Sequence, residues 1–324
     1  MPQIVALGEL LIDLTQTGSS PDGFPAFTAF PGGAPANVAV AAARLGTDAA
    51  FIGKTGSDSF GRQLRQTLAD NKVDVSGLYE TPDAPTTLAV VSVDEKGERS
   101  FSFYRSPGAD TLLTAEEAVK ALVSFEDAPV FFHVGSLSLT SEPSREATFE
   151  AVRYAKTAGS LISYDPNYRA SLWSSEKEAK ERMRSLLPYV DIIKLSEEEL
   201  PLLTDTSDPR SGSIILSRQG ISLVLITLGE NGAFYRCSDE TGLVPGRRVD
   251  VADTNGAGDT FLGALLTRLL SENEKKPVIG PAEKIKDCVA FANNAAALTC
   301  MKSGAIPAMP DKETLENYLK TSVV

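Results

Sequence analysis

Histidine is almost absent from this chain, and the other residues that usually build metal and redox centres are scarce. Its 324 residues include one histidine, one tryptophan, three cysteines and four methionines. The single histidine, His133, lies in the apolar run 130–134, which is typical of a buried strand and favours a structural role. Histidine triads and histidine metal clusters are therefore excluded, and general-base chemistry must fall to a carboxylate.

Cysteines in pairs and long apolar runs are also missing. Cys237, Cys288 and Cys300 lie far apart without metal or redox spacing, which favours reduced thiols in a cytoplasmic protein. No run reaches the roughly 18 apolar residues that a spanning helix needs, so we expect no membrane partner. The apolar segment 4–14 is interrupted by two acidic residues and has no basic lead-in, so we interpret it as a buried strand and not as a signal peptide.

Positive charge is in deficit. The chain carries 31 Lys and Arg residues against 43 Asp and Glu residues, a formal net charge of −12 at pH 7. Nucleic-acid binding usually needs a basic face, so we expect no nucleic-acid partner. For the same reason, a phosphate site would depend on backbone amides and a few placed cations.

What the sequence does have is a regular alternation of short apolar runs with helical periodicity. This alternation predicts βαβ units and an α/β fold, with a doubly wound, mostly parallel sheet flanked by helices. Uninterrupted apolar runs such as 223–226 fit strands that are buried on both faces. The predicted strands are 4–7, 49–53, 130–134, 161–164, 191–195 and 223–227, and the predicted helices are 35–45, 60–70, 115–124, 145–157 and 177–187.

One region breaks this rhythm. The segments 86–94 and 98–105 flank a turn at 95–97 and alternate aromatic with polar residues, which predicts an antiparallel hairpin with one polar face. Together with residues 24–30, this hairpin would form a small β-sheet beside the main domain. We interpret the sheet as a lid over a cleft, and a decorative edge hairpin is the alternative. The predicted organisation is one domain over 1–324, with a lid made of 10–32 and 85–106.

The most informative segment is 253–264, where a glycine-rich loop opens an apolar helix. The backbone N–H groups at Gly256, Ala257 and Gly258 would be left unpaired, and with the helix dipole they form an anion site, typically for phosphate. Asp259 lies just inside the first turn, where a carboxylate beside a bound phosphate is unfavourable unless it takes part in chemistry. A donor phosphate beside a carboxylate that accepts a hydroxyl proton is the core of a phosphotransferase, which is the leading hypothesis.

A second candidate segment is 30–39. Its two glycines, Gly32 and Gly33, let the backbone approach a ligand closely. Pro35 then starts a helix, and Asn37 in the first turn carries an amide that suits a sugar hydroxyl. A helix N-terminus with a capping asparagine explains the same residues, so both interpretations stay open here.

Two further strand ends carry candidate residues. Segment 227–232 follows a strongly apolar strand and brings glycines to the place where open α/β sheets bind nucleotides, although a plain hairpin turn fits as well. Segment 194–199 places three glutamates at another strand end. One of them could organise metal-bound water beside phosphates, whereas an acidic helix N-terminus explains Glu197 and Glu198.

These motifs together resemble the ribokinase/PfkB superfamily of sugar kinases over nearly the whole chain. Segment 32–37 resembles the N-terminal signature of that family and segment 253–259 its C-terminal signature, in the right order and with the glycine turn 229–232 between them. The resemblance implies a doubly wound α/β domain with a β lid. It also implies transfer of the γ-phosphoryl group of ATP to a sugar hydroxyl, with Mg²⁺.

The resemblance assigns the chemistry to the C-terminal signature. Asp259 would be the base for the acceptor hydroxyl, and the amides of Gly256, Ala257 and Gly258 would form the anion hole. Asn255 stands where the family usually has Thr or Val, a departure without an obvious chemical consequence.

The resemblance also implies metal sites. The Asn-x-x-Glu motif of the family falls on Ser196 and Glu199, so only Glu199 keeps the expected Mg²⁺ role, through water. Segment 302–305 matches a stretch that in many members holds the adenine side and a monovalent cation. Carbonyl groups near Asp253 and Asn255 would complete that site, which makes K⁺ dependence a hypothesis.

Substrate contacts follow from the same resemblance. Asp13 would accept hydrogen bonds from sugar hydroxyls, Arg105 would reach in from the lid, and Arg169 would lie near the acceptor or the transferring phosphate. Without the resemblance, a strand-end cap would explain Asp13, and surface ion pairs would explain the two arginines. The remaining implied contacts are Gly32, Gly33 and Asn37 for the sugar, and Lys194, Thr227, Gly229, Gly232 and Asn294 for the nucleotide.

Within the superfamily, segments 103–110, 165–173 and 194–199 look most like fructokinases, so fructose is the expected acceptor and fructose 6-phosphate the product. A 2-keto-3-deoxygluconate kinase is the nearest rival, because it shares the features at Arg105 and Arg169. A non-catalytic sugar-binding relative is the rival of another class, and the intact anion-hole loop argues against it. Lid strands of this family often pair between subunits, which makes a homodimer through the lid a further hypothesis.

Overall fold

Two separate sheets organise the part of the chain that the computed structural model describes, residues 1–93, 99–270 and 279–320. In chain order the strands are β1 (Ile4–Leu7), β2 (Leu11–Ser19), β3 (Pro25–Gly32), β4 (Ala49–Gly56), β5 (Val73–Asp74), β6 (Leu78–Thr81), β7 (Leu88–Val93), β8 (Arg99–Tyr104), β9 (Phe131–Val134), β10 (Leu161–Tyr164), β11 (Ile192–Ser196), β12 (Leu223–Thr227), β13 (Ala233–Cys237) and β14 (Glu240–Val244). The helices are α1 (Ala34–Arg44), α2 (Ser59–Asp70), α3 (Ala115–Ser124), α4 (Ser144–Thr157), α5 (Glu176–Ser185), α6 (Leu200–Thr204), α7 (Pro209–Ser217), α8 (Ala257–Leu270), α9 (Ala282–Cys300) and α10 (Lys312–Lys320).

The larger sheet is mostly parallel and runs in the order β14-β13-β12-β11-β10-β9-β1-β4-β5, with β6 also paired to β4. Only the pairs β12–β13 and β13–β14 are antiparallel among its described strands. The first strand, β1, lies inside the sheet between β9 and β4. The predicted doubly wound α/β fold is confirmed.

Helices cover both faces of this sheet, and the alternation of side chains along β1 shows how the two cores divide. Ile4 and Ala6 face the core formed with α1, α8 and α9, whereas Val5 and Leu7 face the core formed with α3, α4 and α5. All four side chains are fully buried. A strand buried on both faces needs continuous apolar residues, which is the pattern that the sequence shows there.

The histidine of strand β9 belongs to this interior. His133 is 1% exposed, and its Nδ1 lies 3.3 Å from the hydroxyl of Ser163 on β10. Burial lowers the pKa of His133 to about 3, so the imidazole is neutral at physiological pH. It packs within the sheet, as predicted from its apolar run.

The smaller sheet has four strands in the order β3-β2-β7-β8. The pairs β2–β3 and β7–β8 are antiparallel hairpins, and the parallel pair β2–β7 joins them. The predicted hairpin is therefore present as β7 and β8, and its pairing with residues 24–30 runs through β2. The predicted turn at 95–97 lies outside the described residues.

No helix within the described ranges is both long enough and apolar enough to span a bilayer. The three cysteines are free thiols, with Cys237 and Cys288 buried and Cys300 half-buried.

Candidate active site

The glycine-rich loop before α8 has little room for side chains. Gly256 has a φ of 75°, in the region that favours glycine, and a Cβ there would lie 2.8 Å from the Cβ of Ala305. A Cβ at Gly258 would lie 2.8 Å from Nζ of Lys194. The amide of Ala257 donates a long bond of 3.3 Å to the carbonyl of Thr254, which closes the turn, so the prediction that this amide is unpaired is wrong. The loop therefore exposes backbone, next to a buried cation.

Asp259 lies in the first turn of α8, as predicted, and is buried. Its Oδ2 accepts a 2.7 Å hydrogen bond from Nδ2 of Asn37, in the first turn of α1. Burial, with the charge of nearby Asp165, raises the pKa of Asp259 to about 6. The Asn37 bond and the charges of Lys194 and Arg169 act in the opposite direction. The carboxylate is therefore ionised at neutral pH yet close enough to its pKa to take up a proton.

Asp259 lines a small cavity of about 50 Å³ beside the smaller sheet. Strand β2 contributes Leu11 and Asp13 to its wall, and β8 contributes Phe103. The other lining residues that the sequence predicted as site residues are Gly33, Asn37, Arg169, Asn255 and Asp259.

Asp13 supplies a second carboxylate to this cavity. Burial raises its pKa to about 6, although a hydrogen bond from the Asn255 side chain and the charge of Arg169 lower it. The charge of Asp253 raises it. A Cβ at Gly32 would lie 2.3 Å from Oδ2 of Asp13, so only glycine fits beside this carboxylate. Two acceptors, Asp13 and Asp259, thus face one polar pocket.

Gly33 completes the turn into α1. Its φ is 113°, and a Cβ there would lie 2.4 Å from the carbonyl oxygen of Glu9. The structure does not use Asn37 as a cap: the N-cap residue of α1 is Gly33, and the Asn37 side chain points to α8 instead. The capping interpretation of Asn37 is therefore wrong.

Arg105 does not line this cavity. Its Nε donates to Oδ2 of Asp110 at 2.7 Å, and its two terminal nitrogens donate to Oγ1 of Thr140 and to the carbonyl of Leu137. The alternative, a surface ion pair, is also wrong, because both partners of the ion pair are buried. The guanidinium lies behind the pocket wall, whereas Arg169 is half-buried in that wall.

A second, larger cavity of about 470 Å³ lies on the other side of the loop. This volume falls in the range of small-molecule sites. Thr227, Gly229 and Gly232 line it at the end of β12, and Ala257 and Gly258 line it from the loop. Its apolar lining consists of Val249, Val251, Phe261, Ala296 and Ala297.

Helix α9 contributes Asn293 to this cavity, and not the predicted Asn294. Asn293 is buried and donates to the carbonyls of Val244 and Pro245, whereas Asn294 donates within the helix to the carbonyl of Ala290. Adjacent residues of a helix point about 100° apart, so the shift of one position changes the face. The structure therefore places Asn293, and not Asn294, in the cavity wall, and a nucleotide contact of Asn294 stays a prediction.

Lys194 supplies the placed cation that an acidic chain needs near phosphate. Its Nζ donates to Oδ2 of Asp165 at 2.9 Å, and both side chains are buried. Although burial lowers the pKa of Lys194, the charges of Asp165 and Glu199 outweigh this and leave it raised. The ammonium group is therefore charged where it lies against Gly258.

Glu199 and Asp165 are the carboxylates next to this lysine. Glu199 accepts backbone bonds from Tyr168 at 2.7 Å and from Ser196 at 2.8 Å. Oδ1 of Asp165 is buried without a hydrogen-bond partner. Within the ranges that the structure describes, no three His, Cys, Asp or Glu residues are grouped to hold a metal. One or two carboxylates beside substrate phosphates are what Mg²⁺ usually takes, so these residues fit a water-rich Mg²⁺ site.

Asp253 ties two loops together. Its Oδ1 accepts from the amide of Asn255 at 2.9 Å and its Oδ2 from the amide of Gly304 at 3.0 Å. The segments proposed for a K⁺ site, 253–255 and 302–305, are therefore adjacent. Their adjacency is compatible with one shared cation site.

Sequence reasoning missed Glu9 and Asp165 as site residues. Asp165 directly follows the carboxyl end of β10, and Glu9 lies two residues after the carboxyl end of β1. Both strands are central and parallel. The carboxyl ends of such strands are where open α/β sheets bind ligands, and a polar residue there was the available signal.

Comparison with known proteins agrees with this geometry. The model of the pfkB family of carbohydrate kinases matches residues 1–312. Fructokinase-1 of Oryza sativa subsp. japonica is 44% identical over 310 residues, which cover 95% of this chain and 94% of the rice protein. The crystal structure of fructokinase with bound ATP from Xylella fastidiosa superposes with a TM-score of 0.91 at 35% identity, over all of both chains. The crystal structure of a double mutant of Vibrio cholerae O395 fructokinase, bound to fructose, ADP and potassium ion, superposes with a TM-score of 0.87 at 37% identity, over 98% of each chain.

Proposed function

The chain belongs to the pfkB family of carbohydrate kinases, and we propose that it is an ATP-dependent fructokinase. One observation carries the mechanism: Gly258 borders the larger cavity while its neighbour Asp259 borders the smaller one. A phosphoryl donor in the first and an alcohol in the second would meet at this peptide. Relatives named fructokinase, and fructokinase structures that hold ATP or fructose with ADP, support fructose as the acceptor.

Asp259 is the base in this reaction. Its carboxylate accepts the proton of the attacking hydroxyl as the new oxygen–phosphorus bond forms and the bond between the γ-phosphorus and ADP breaks. The products are a sugar phosphate and ADP. Protein groups do little covalent chemistry in such transfers, so positioning and charge stabilisation dominate the rate. The loop amides and the ammonium of Lys194 stabilise the charge on the transferring group.

Glu199 and Asp165 are the residues that would hold Mg²⁺, which when bound neutralises charge on the ATP phosphates. The chain itself keeps these carboxylates in place through backbone bonds and Lys194. K⁺ near Asp253 and Asn255 stays a prediction. Unchanged activity when K⁺ is replaced by tetramethylammonium would dispose of it.

Asp13, Asn37 and Arg169 are the proposed sugar contacts, since each lines the small cavity. The small sheet acts as the lid, because it brings Asp13 and Phe103 into the wall and would exclude water from the transferring phosphate. Arg105 is proposed to support this wall from behind.

A homodimer through the small sheet also remains a proposal. The sheet and its loop expose the large side chains of Phe24, Phe27 and Tyr104, which a second subunit would cover. Sedimentation of the wild type against a Phe24→Ser/Phe27→Ser variant tests this, and a monomeric wild type rules it out. The cytoplasmic location expected from the cysteines likewise stays a prediction.

The substrate experiment measures ADP formation with fructose, 2-keto-3-deoxygluconate, ribose and adenosine at equal concentration. We expect fructose to give the highest kcat/KM. Preference for 2-keto-3-deoxygluconate would assign the arginine-lined pocket to a carboxylate instead. Turnover with none of them, together with measurable sugar binding, would leave only the non-catalytic relative.

A further inference from the structure

The small sheet is joined to the main domain at four points, the two ends of each of its hairpins. Glu9 precedes β2 and Ala34 follows β3, so these two residues flank the first hairpin. Oε1 of Glu9 accepts from the amide of Ala34 at 2.9 Å. Because the N-cap residue Gly33 has no side chain to offer, this carboxylate supplies an acceptor to the first turn of α1. One side chain thereby links both ends of the hairpin.

The second hairpin is held in the same way by Asp110. Thr87 directly precedes β7 and Arg105 directly follows β8. Oδ1 of Asp110 accepts from the hydroxyl of Thr87, and its Oδ2 accepts from Nε of Arg105 at 2.7 Å. A Cβ at Gly108 would clash with the Thr87 hydroxyl, so the contact is tightly enclosed.

These two links are connected to each other and to the pocket wall. The amide of Ile12 on β2 donates to the carbonyl of Thr87 at 3.1 Å, which joins the hairpins at their bases. Arg105 also donates to the carbonyl of Leu137, a residue of the small cavity. Glu9, Asp110 and Arg105 are all buried. Burial raises the pKa of Glu9 to about 7, while the charge of Arg105 lowers this pKa and the charge of Asp110 raises it.

We propose that Glu9 and Asp110 are positioning residues that hold the small sheet in register with the sugar cavity. The sheet carries Asp13 and Phe103 into the wall of that cavity. Loss of the hydrogen bonds at its four junctions would therefore let the sheet move and displace the sugar contacts. None of the described residues that line the larger cavity comes from this sheet, so ATP binding is unaffected. The inference rests on the proposed function, because the proposed function assigns the small cavity to the sugar.

Thr87→Val is the mild test at the second hairpin, because it removes one hydroxyl donor and keeps the shape of the side chain. We expect the KM for fructose to rise roughly three- to tenfold, the range of a lost buried hydrogen bond, while the KM for ATP stays within about twofold. Thr47→Val is the matched control: Thr47 is buried and donates to Thr267, far from the small sheet. A rise in both KM values, or none in either, overturns the proposal at this junction.

Glu9 is tested by rescue. Glu9→Gln keeps an oxygen acceptor for the amide of Ala34, whereas Glu9→Ala removes it. The alanine variant is expected to raise the fructose KM roughly tenfold or more, and the glutamine variant to recover most of that loss. Equal effects of the two substitutions would contradict an acceptor role.

Hydrogen exchange separates this proposal from the proposed function. In the wild type, Thr87→Val and Glu9→Ala, exchange in the small-sheet strands β2, β3, β7 and β8 is compared with exchange in β1 and β9, without any ligand. We expect faster exchange in β2 and β3 for Glu9→Ala and in β7 and β8 for Thr87→Val, with β1 and β9 unchanged. If the wild type phosphorylated no sugar, the proposed function would fail while this comparison still stood. Unchanged exchange in the small sheet of both variants overturns the positioning role even in an active enzyme.

Discussion

The side-chain amide of Asn37 donates a 2.7 Å hydrogen bond to Oδ2 of Asp259 and so joins the first turn of α1 to the first turn of α8. The two glycine-rich signatures, which are far apart in the chain, therefore meet as one unit. Oδ1 of Asn37 is buried without a partner. Buried polar atoms are nearly always satisfied, so this oxygen is suited to accept from a sugar hydroxyl.

Loss of the Asn37 amide should move the pH dependence of catalysis. The bond favours the ionised form of Asp259, whose pKa is about 6, so Asn37→Ala should raise that pKa further. A base must be deprotonated, so kcat/KM rises with pH through the pKa. We expect the acid limb of the profile to shift to higher pH in the variant, with activity partly recovered at pH 8.

The profile has to be measured with a control, because Asp13 also titrates at about 6 and contributes to the same limb. Asn71→Ala is suitable, since Asn71 is hydrogen-bonded to Arg44 and Thr67 away from the site. An unshifted acid limb in Asn37→Ala would show that the bond does not control Asp259.

Removal of the base itself should affect the chemical step. Asp259→Asn keeps the size of the side chain and can still accept from Asn37, but cannot take a proton. We expect kcat to fall by ~10²–10⁴-fold with little change in sugar affinity. Steady-state kinetics with fructose, together with sugar binding by calorimetry, measures both. A near-native kcat would remove Asp259 from its role.

The same substitution should stabilise the fold. Burial raises the pKa of Asp259 from 3.8 to about 6, so the ionised carboxylate is disfavoured in the folded state. This destabilisation is absent below about pH 4, develops as the pH rises, and is complete above about pH 6. The free energy of unfolding of Asp259→Asn should therefore exceed that of the wild type by about 1–3 kcal/mol at pH 7.5 and by little at pH 4.

Denaturant unfolding at the two pH values measures this gain. Asp127→Asn serves as the control, because Asp127 is exposed and outside the site. A variant that is equally stable or less stable than the wild type at pH 7.5 would mean that Asp259 is not strained by its burial.

The backbone of the phosphate loop is testable through glycine. Gly256→Ala places a side chain at a φ of 75° and against Ala305, so the loop must move. We expect kcat/KM for ATP to fall by ~10-fold or more, since donors must be held in place for charge stabilisation. Gly220→Ala is matched: its φ is 96°, but the added Cβ meets nothing within 4 Å. Similar loss of ATP kinetics in both variants would count against the loop.

Much of the fold was accessible from the sequence, because its signals are local. The six predicted strands all occur in the larger sheet, and the helix predicted at 115–124 has those bounds. There the capping box of Thr114 and Glu117 sets the start of the helix. Strands 4–7, 161–164 and 223–227 also have their predicted bounds. The other predicted elements differ by one to three residues at one or both ends, as for β4, which continues from the predicted 49–53 to Gly56. Strands β5, β6, β13 and β14 were not predicted, because they are short or weakly apolar.

The site was predictable as a set of residue types but not as a set of contacts. Arg105 was expected to reach the substrate, yet its guanidinium is bound by Asp110, five residues later, in a buried ion pair. Asn294 and Asn293 cannot be distinguished without the rotation of α9. The link between Asn37 and Asp259 depends on how α1 and α8 pack, which no local pattern records.

Gly258 lines the larger cavity and its neighbour Asp259 the smaller one, so the proposed donor and acceptor sites adjoin at one peptide of the loop. A compound that joins an adenosine to a fructose analogue would have to cross this point through a phosphate-length bridge. The linker length that gives the tightest binding in such bisubstrate inhibitors would therefore measure the distance over which the phosphoryl group is transferred.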